Sequence, residues 1–270
     1  MRAVSALMYG VMQGLTEFLP VSSSAHLALL HAWSGGGGEE ELAFDVLLHL
    51  ATLAAVLLVY GKELIPLVPA FFRLLRKRGK TDGERDEKER LVLLLLLGTL
   101  PLALLLPLKG LIGRVGAQPR AVGALLLCNA AQLFLCDRAG GGRMTLETLP
   151  PQSALAVGFS QALSGFPGLS RSGTTVTWGT VLGLARAEAV KLSFLLSVPA
   201  VLGANLVELP ALFAPGGIGM PASSVLLGMA GALVSGLLSV GCLRWLTEKG
   251  KMKWLGVWCA GLGLIAMIKG

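Results

Sequence analysis

Long uninterrupted runs of apolar residues constrain this chain more than any other feature of its sequence. The two clearest are 91-LVLLLLLGTLPLALLLPL-108 and 222-ASSVLLGMAGALVSGLLSVGCL-243, and each approaches the roughly 20 residues that a helix needs to cross a bilayer. The chain is 54% hydrophobic and only 14% charged, whereas soluble domains are about 25% charged. The sequence therefore predicts an all-α, multi-pass integral membrane protein, with residues 1–270 forming a single membrane domain.

Apolar runs of this kind predict about six transmembrane helices. Their expected positions are about 42–60, 91–108, 119–136, 192–209, 222–245 and 254–269. Two regions, 1–34 and 151–186, are left over, and each consists of short apolar pieces interrupted by Gly, Pro and Ser. We expect two re-entrant helical hairpins there, because non-helical backbone at membrane depth persists only where it is buried in protein or lines a cavity.

The distribution of basic residues predicts the orientation of these helices. Segments 62–90 and 244–253 are rich in Lys and Arg, so the positive-inside rule places both in the cytoplasm. Segments 35–41 and 208–221 contain neither residue and should lie outside. Six helices satisfy all four placements. This orientation places Lys109, Arg114 and Arg120 outside, against the rule. Since most basic residues nevertheless follow the pattern, the net charge of +7 reflects membrane topology, and we expect no nucleic-acid partner.

The two leftover regions match each other at a constant offset of 148 residues. Five identical pairs fall within twelve positions, which favours duplication over chance: Gln13/Gln161, Leu15/Leu163, Phe18/Phe166, Ser22/Ser170 and Ser24/Ser172. The first repeat would cover about 1–110 and the second about 151–245. The loop after region 1–34 is predicted outside and the loop after 151–186 inside. The copies therefore form an inverted-topology repeat, an arrangement whose sites lie near the membrane midplane.

The second copy carries the residues of an anion site, in the sequence 161-QALSGFPGLSRSGTT-175. Arg171 presents a planar set of donors that suits phosphate oxygens. Four hydroxyl groups, together with the backbone N–H groups of a helix start, would add further donors: Ser170, Ser172, Thr174 and Thr175. In the alternative interpretation, these hydroxyls only join helices and Arg171 pairs with Glu17.

The first copy carries reactive groups. Glu17 is a functional candidate because an ionisable residue at membrane depth is costly. Ser23 and His26 are three residues apart and can share one helix face, so Ser23 is the expected nucleophile and His26 its base. The neighbouring hydroxyls of Ser22 and Ser24 are expected to bind substrate. A Ser-x-x-His spacing is weak evidence by itself, but Glu17 and the predicted anion pocket strengthen it.

Two further polar pairs could serve the same site. Gln13 lies one helical turn before Glu17, and an amide beside a carboxylate suits a hard divalent cation. The alternative for Gln13 is a hydrogen bond between helices. Asp45 and His49 are four residues apart on a predicted spanning helix, and a self-satisfied pair is the preferred interpretation over a place lining the site.

These motifs resemble those of the undecaprenyl-diphosphate phosphatases of the bacitracin-resistance type. The family's Glu/Gln-x-x-x-Glu motif reads here as 13-QGLTE-17, and its P-V-S-S-x-x-H motif as 20-PVSSSAH-26. Its P-G-x-S-R-S-x-x-T motif reads as 167-PGLSRSGTT-175. The run 193-SFLLSVPAVLGA-204 is similar to the family's following helix. The resemblance covers the whole chain in length and order.

The resemblance implies removal of the terminal phosphate from undecaprenyl diphosphate, which recycles the lipid carrier for peptidoglycan and other envelope polymers. It implies a place in the bacterial inner membrane, a site open to the periplasm or exterior, and a divalent cation, Mg²⁺ or Ca²⁺. By position in the motifs, it assigns functional roles to Glu17, Ser23, His26, Ser170, Arg171 and Thr175. Gln13 stands where many members have Glu, which removes one negative charge from any cation site.

Two other functions remain open from the residues. Inverted repeats with broken helices are also a transporter architecture, so the same midplane site could move a phosphate-bearing lipid or another anion. A different class of lipid phosphatase, with K-x6-RP and PSGH motifs, is disfavoured because the sequence lacks those motifs. The partners expected are the isoprenoid diphosphate and membrane lipid, and a homodimer is one assembly that the sequence leaves open.

Overall fold

The computed structural model describes residues 3–34, 39–76, 86–213 and 219–270. Within these ranges the chain is helical, and the only β contact is a single bridge between Met144 and Leu184. The helices are α1 Ala3–Phe18, α2 Ser23–Ser34, α3 Glu39–Leu64, α4 Leu67–Arg76, α5 Glu87–Thr99, α6 Lys109–Gly116, α7 Pro119–Ala139, α8 Pro151–Leu163, α9 Arg171–Val181, α10 Arg186–Glu208, α11 Ala222–Glu248 and α12 Met252–Lys269. Two 3₁₀ helices, Leu100–Leu108 and Leu209–Phe213, extend α5 and α10. The predicted all-α class is confirmed.

Six helical segments are long and apolar enough to cross a membrane, in agreement with the sequence. They are Ala43–Leu64, Glu87–Gly116, Pro119–Ala139, Arg186–Glu208, Ala222–Glu248 and Met252–Lys269. The largest difference in a boundary is at the second span, which ends at Gly116 and not near residue 108. Helix α10 begins at Arg186 and not near residue 192. The predicted run 91–108 is part α-helix and part 3₁₀ helix, because Pro101 and Pro107 lack the backbone N–H that an α-helix requires.

The charged segments gather at one end of the helices. Arg73 forms an ion pair with Asp86 at 3.0 Å. At the start of α12, Lys253 N donates a hydrogen bond to the Asp137 carboxylate at 2.9 Å. Other bonds link these groups through the loop between α7 and α8: Arg90 to Leu149 O, Glu188 to Leu146 N and Arg186 to Asp137 O. At the opposite end, Lys269 lies over the Trp33 ring. The two basic segments thus share one end, and its cytoplasmic placement stays a prediction.

The leftover regions form two pairs of shorter helices, α1–α2 and α8–α9. Helix α1 packs along α11, and α8 packs along α5. Glycines make both contacts close, since a Cβ at Gly10 would lie 1.9 Å from Gly228 O and one at Gly158 would lie 2.8 Å from Gly98 O. Gly10 and Gly158 are also related by the offset of 148 residues. The predicted re-entrant placement and inverted topology of these pairs, and the predicted repeat boundaries, stay predictions.

Helices α7 and α12 lie outside the predicted repeats and pack against each other along their length. Close approach is again possible because of glycine, as a Cβ at Gly123 would lie 2.6 Å from Gly263 O. Helix α7 also contacts both α2 and α9. This pair of helices therefore flanks the point where the two short helical pairs meet.

Candidate active site

The turns of the two short helical pairs are in direct contact. We call residues 13–26 the first tip and residues 161–175 the second tip. The backbone N–H of Gly168 donates to Ser22 Oγ at 3.2 Å, and the Arg171 guanidinium forms a short ion pair with the Glu17 carboxylate. The tips thus form one shared site, as the repeat predicts.

The two tips share one pattern of side-chain hydrogen bonds, although Ser22 has a positive φ of 68° and Ser170 a φ of -88°. Ser22 Oγ and Ser170 Oγ each accept from the backbone N–H three residues later, at 3.3 and 3.2 Å. Each also lies near the hydroxyl two residues on, since Ser22–Ser24 is 3.2 Å and Ser170–Ser172 is 3.1 Å. These bonds cap the starts of α2 and α9. Two helix N-termini, which favour anions, therefore begin at the shared site.

Glu17 is the centre of the polar contacts between the tips. Its Oε2 accepts from Ser23 Oγ at 2.8 Å and from Gln13 Nε2 at 3.0 Å, while Oε1 faces Arg171. His49 Nε2 lies 3.6 Å from the same carboxylate. Four helices thus direct side chains at one buried carboxylate. Such a buried charge is tolerated because it is paired and hydrogen-bonded.

The expected hydrogen bond between Ser23 and His26 is not formed, and this corrects the sequence prediction. His26 Nδ1 donates to the Ser22 carbonyl at 2.8 Å, and His26 Nε2 accepts from Trp258 Nε1 at 3.1 Å. The Ser23 hydroxyl donates to Glu17 instead. The reason is geometric, because helical side chains lean toward the N-terminus, so His26 reaches back to a carbonyl four residues earlier.

The hydroxyls predicted to bind substrate differ in their surroundings. Ser24 is exposed, whereas Ser22, Ser170, Ser172, Thr174 and Thr175 are buried. Thr175 Oγ1 donates to Arg171 O at 2.8 Å and lies 2.7 Å from Ser193 Oγ. Thr175 therefore supports the first turn of α9, from which Arg171 extends.

Asn129 on α7 fastens the two tips together and was not anticipated from the sequence. Its Nδ2 donates to Pro20 O at 2.8 Å, and its Oδ1 accepts from Ser170 N at 3.0 Å. One turn later, Gln132 Nε2 donates to Thr174 Oγ1 at 3.0 Å. The available signal was two amide residues three apart in the apolar run 126-LLCNAAQLFL-135, a spacing that places both on one helix face.

His49 lines the site, although the sequence favoured a self-satisfied pair with Asp45. The Nδ1 of His49 donates to the backbone carbonyl of Asp45 at 2.8 Å, which turns Nε2 toward Glu17. His49 lies on the face of α3 that is turned toward the first tip. The sequence alone could not show which helix α3 would face.

Gln13 and Glu17 are the residues that could hold a cation. Within the described ranges, no group of three or more His, Cys, Asp or Glu side chains is arranged to bind a metal. Gln13 is fully buried, and its Oε1 has no hydrogen-bond partner. An unused amide oxygen one turn from a carboxylate fits a hard cation, for which phosphate or water oxygens would supply the other ligands.

Comparison with known proteins shows the family of the chain. A family profile described as "Bacitracin resistance protein BacA" matches residues 6–265. A protein named undecaprenyl-diphosphatase from Methanobrevibacter smithii is 36% identical, covering 99% of this chain and 98% of the relative. Proteins of the same name from Methanosphaera stadtmanae and Desulforapulum autotrophicum are each 35% identical. The first covers 98% of this chain and 97% of the relative, and the second covers 100% and 99%. On this evidence, the chain belongs to the bacitracin resistance protein BacA family.

Proposed function

We propose that this protein hydrolyses undecaprenyl diphosphate to undecaprenyl phosphate and inorganic phosphate, and so recycles the lipid carrier for peptidoglycan and other envelope polymers. The observation that carries the proposal is the contact of Ser23, Glu17 and Arg171 across the two tips. In this proposal Ser23 is the nucleophile, Glu17 is the proton acceptor and Arg171 is the cation that binds phosphate. The names of the relatives support the same substrate.

Arg171 binds the diphosphate in this proposal. Its side chain is 18% exposed, against 6% for Glu17, so the guanidinium is the part of the ion pair that substrate can reach. A guanidinium can bind two phosphate oxygens at once. It also offsets the charge on the transferring phosphoryl group, where such clamps act most strongly. The starts of α2 and α9 add backbone donors on either side.

Ser23 attacks the terminal phosphorus, and Glu17 accepts its proton through the existing hydrogen bond. The new Ser23 Oγ–P bond forms as the bond between that phosphorus and the bridging oxygen breaks, and undecaprenyl phosphate leaves. Water then attacks the phosphorus of the phosphoserine, and the Ser23 Oγ–P bond breaks as Glu17 returns its proton to Oγ, which restores the Ser23 hydroxyl and releases inorganic phosphate. His26, whose Nε2 carries a lone pair, accepts a proton from this water. Direct attack by water, with Ser23 only positioning it, is the rival mechanism.

Glu17 and Gln13 would hold a divalent cation, Mg²⁺ or Ca²⁺, in the substrate complex. When bound, the cation supplies positive charge that neutralises the diphosphate oxygens. The buried, unpartnered Oε1 of Gln13 supports this assignment. The residues of the chain orient the phosphate and move the protons.

The location of the reaction follows from the same arrangement. The isoprenoid tail lies among the helices in the lipid, which explains a phosphatase site at membrane depth. In this proposal the protein lies in the inner membrane and its site opens to the periplasm or exterior, as the resemblance to the family implies. A homodimer remains one arrangement consistent with this reaction, which needs residues of a single chain only.

Phosphate release by the purified protein in detergent tests the proposal. Wild-type protein should release inorganic phosphate from undecaprenyl diphosphate, and Arg171→Ala should reduce kcat/KM by about 10²-fold or more. Arg244→Ala is the matched control, since the Arg244 side chain is 66% exposed and pairs with Glu248 of its own helix, and it should behave as wild type. Tight binding of the lipid without phosphate release would contradict the proposed phosphatase activity and favour a transporter. Phosphate trapped on Ser23 would separate the covalent mechanism from direct water attack.

A further inference from the structure

A tryptophan from outside both predicted repeats is hydrogen-bonded to His26. Trp258 lies on α12, and its Nε1 donates to His26 Nε2 at 3.1 Å. The two rings are nearly coplanar, with an interplanar angle of 6° and centroids 6.2 Å apart. Trp258 is also 57% exposed. A large exposed side chain thus occupies the ring nitrogen that the proposed reaction needs.

The two hydrogen bonds of His26 specify one protonation state. The Ser22 carbonyl can only accept, so His26 Nδ1 must carry a hydrogen. The indole N–H of Trp258 can only donate, so His26 Nε2 must carry a lone pair. A protonated ring would direct an N–H against the indole N–H. The contacts therefore select the neutral ring with its hydrogen on Nδ1.

The backbone beside Trp258 is anchored to the same residue that joins the tips. The next residue, Cys259, is buried, and its Sγ lies 3.3 Å from Asn129 Nδ2. Asn129 in turn binds Pro20 O and Ser170 N. The backbone that carries Trp258 is thus held in position relative to the tips, and its ring is exposed beside His26.

We propose that Trp258 is a positioning residue that holds His26 neutral, with its Nε2 lone pair ready to accept a proton from the attacking water. This inference rests on the proposed function, since it assigns His26 to the hydrolytic step. Trp258 satisfies Nε2 between turnovers, and the water replaces the indole when substrate is bound. An exposed Phe or Leu would cover His26 equally well from lipid but would leave Nε2 without a donor.

Steady-state kinetics of Trp258→Phe test this role. The substitution keeps an aromatic ring and removes only the N–H. Because one hydrogen bond is lost, we expect kcat to fall about threefold to tenfold while KM changes less than about twofold. Trp254→Phe is the matched control, because Trp254 is on the same helix and is also exposed; it should leave both constants unchanged. An unchanged kcat in Trp258→Phe, or a change in KM alone, would overturn the proposal. Either result would indicate that Trp258 only forms part of the surface that contacts the lipid substrate.

Nuclear magnetic resonance of ¹⁵N-histidine gives a readout that does not depend on turnover. The chain has 3 histidines, so the His26 signal can be assigned by its loss in His26→Ala. Wild-type and Trp254→Phe proteins should show His26 with its hydrogen on Nδ1, and Trp258→Phe should show a shifted Nε2 signal or a mixture of tautomers. An identical Nε2 signal in all three proteins would refute the hydrogen bond. Absence of phosphate release by wild-type protein would instead refute the proposed function.

Discussion

The nitrogen and the oxygen of the Gln13 side-chain amide have different surroundings, which makes Gln13 the most informative single residue for testing cation binding. Its Nε2 donates to Glu17, while its Oε1 is buried without a partner. The Nε2 bond satisfies the carboxylate in the absence of a cation. A cation between Gln13 and Glu17 would require the amide to turn its oxygen inward, and amide orientation is free to follow such a partner.

Replacing Gln13 by Glu should therefore strengthen cation binding. Gln13→Glu adds a second carboxylate one turn from Glu17, and hard cations bind more tightly as ligand charge rises. We expect the Mg²⁺ concentration for half-maximal phosphate release to fall several-fold. Removal of divalent cations with a chelator should abolish release by both proteins. Equal Mg²⁺ dependence in the two proteins would exclude Gln13 as a ligand.

Among the helices, two local features hold the elements that carry the site. Helix α1 can lie close to α11 because Gly10 has no side chain, and this contact positions the helix that carries Glu17. Helix α5 begins at a capping residue, since Asp86 Oδ1 accepts from Glu89 N at 2.7 Å. Both features depend on one residue each, so both are open to direct test.

Gly10→Ala should destabilise the protein. The added Cβ would lie 1.9 Å from Gly228 O, a backbone atom that cannot turn aside. Overpacking of this kind costs about 1–3 kcal/mol, and activity should fall as α1 shifts. Gly61→Ala is the matched control, because nothing lies within 4 Å of a Cβ there; helix propensity should make it neutral or slightly stabilising. Equal melting temperatures of the two variants in detergent would contradict the close contact.

Asp86 should stabilise the start of α5 in a pH-dependent way. The hydrogen bond from Glu89 N and the nearby Arg73 lower the pKa of the Asp86 carboxyl. A lowered folded-state pKa means that the contribution is present above the unfolded value of about 4 and is lost as the pH falls through the folded value. Asp86→Ala should lower stability by about 1 kcal/mol at neutral pH. Asp86→Asn, which can still cap the helix, should lose much less. A similar loss in both variants would argue against the cap.

At the scale of the whole molecule, the α7–α12 pair joins the two regions that the sequence predicts to be copies of each other. Asn129 binds a backbone group of each tip, and Trp258 reaches His26 from a position 232 residues away in sequence. The duplicated helices supply the reactive groups, and the unduplicated helices hold them in place. The relative position of the two tips thus depends on residues that no repeat contains.

Asn129→Ala should loosen the contact between the tips. It leaves one buried donor and one buried acceptor without partners, and each costs about 1–3 kcal/mol. We expect a lower melting temperature and a larger loss of phosphate release than stability alone explains. Asn205→Ala is the control, because the buried Asn205 amide donates only to the Val201 carbonyl of its own helix. If the two variants lose equal activity, Asn129 does not position the tips.

The spanning helices could be read from the sequence, and so could the candidate residues that the structure brings together at the tips. Six apolar runs predict six spans, because hydropathy and length are properties of each segment alone. Glu17 and Arg171 were recognisable because ionisable residues at membrane depth are rare. The sequence left their pairing open as an alternative, and the folded chain shows the pair formed. The hydrogen bond of Ser23 to Glu17 instead of His26, and the contacts of His49, Asn129 and Trp258, required the folded chain. Within its own segment, each of these side chains could reach several hydrogen-bond partners. Only the packing of α1, α2, α3, α7, α9 and α12 decides which donor meets which acceptor.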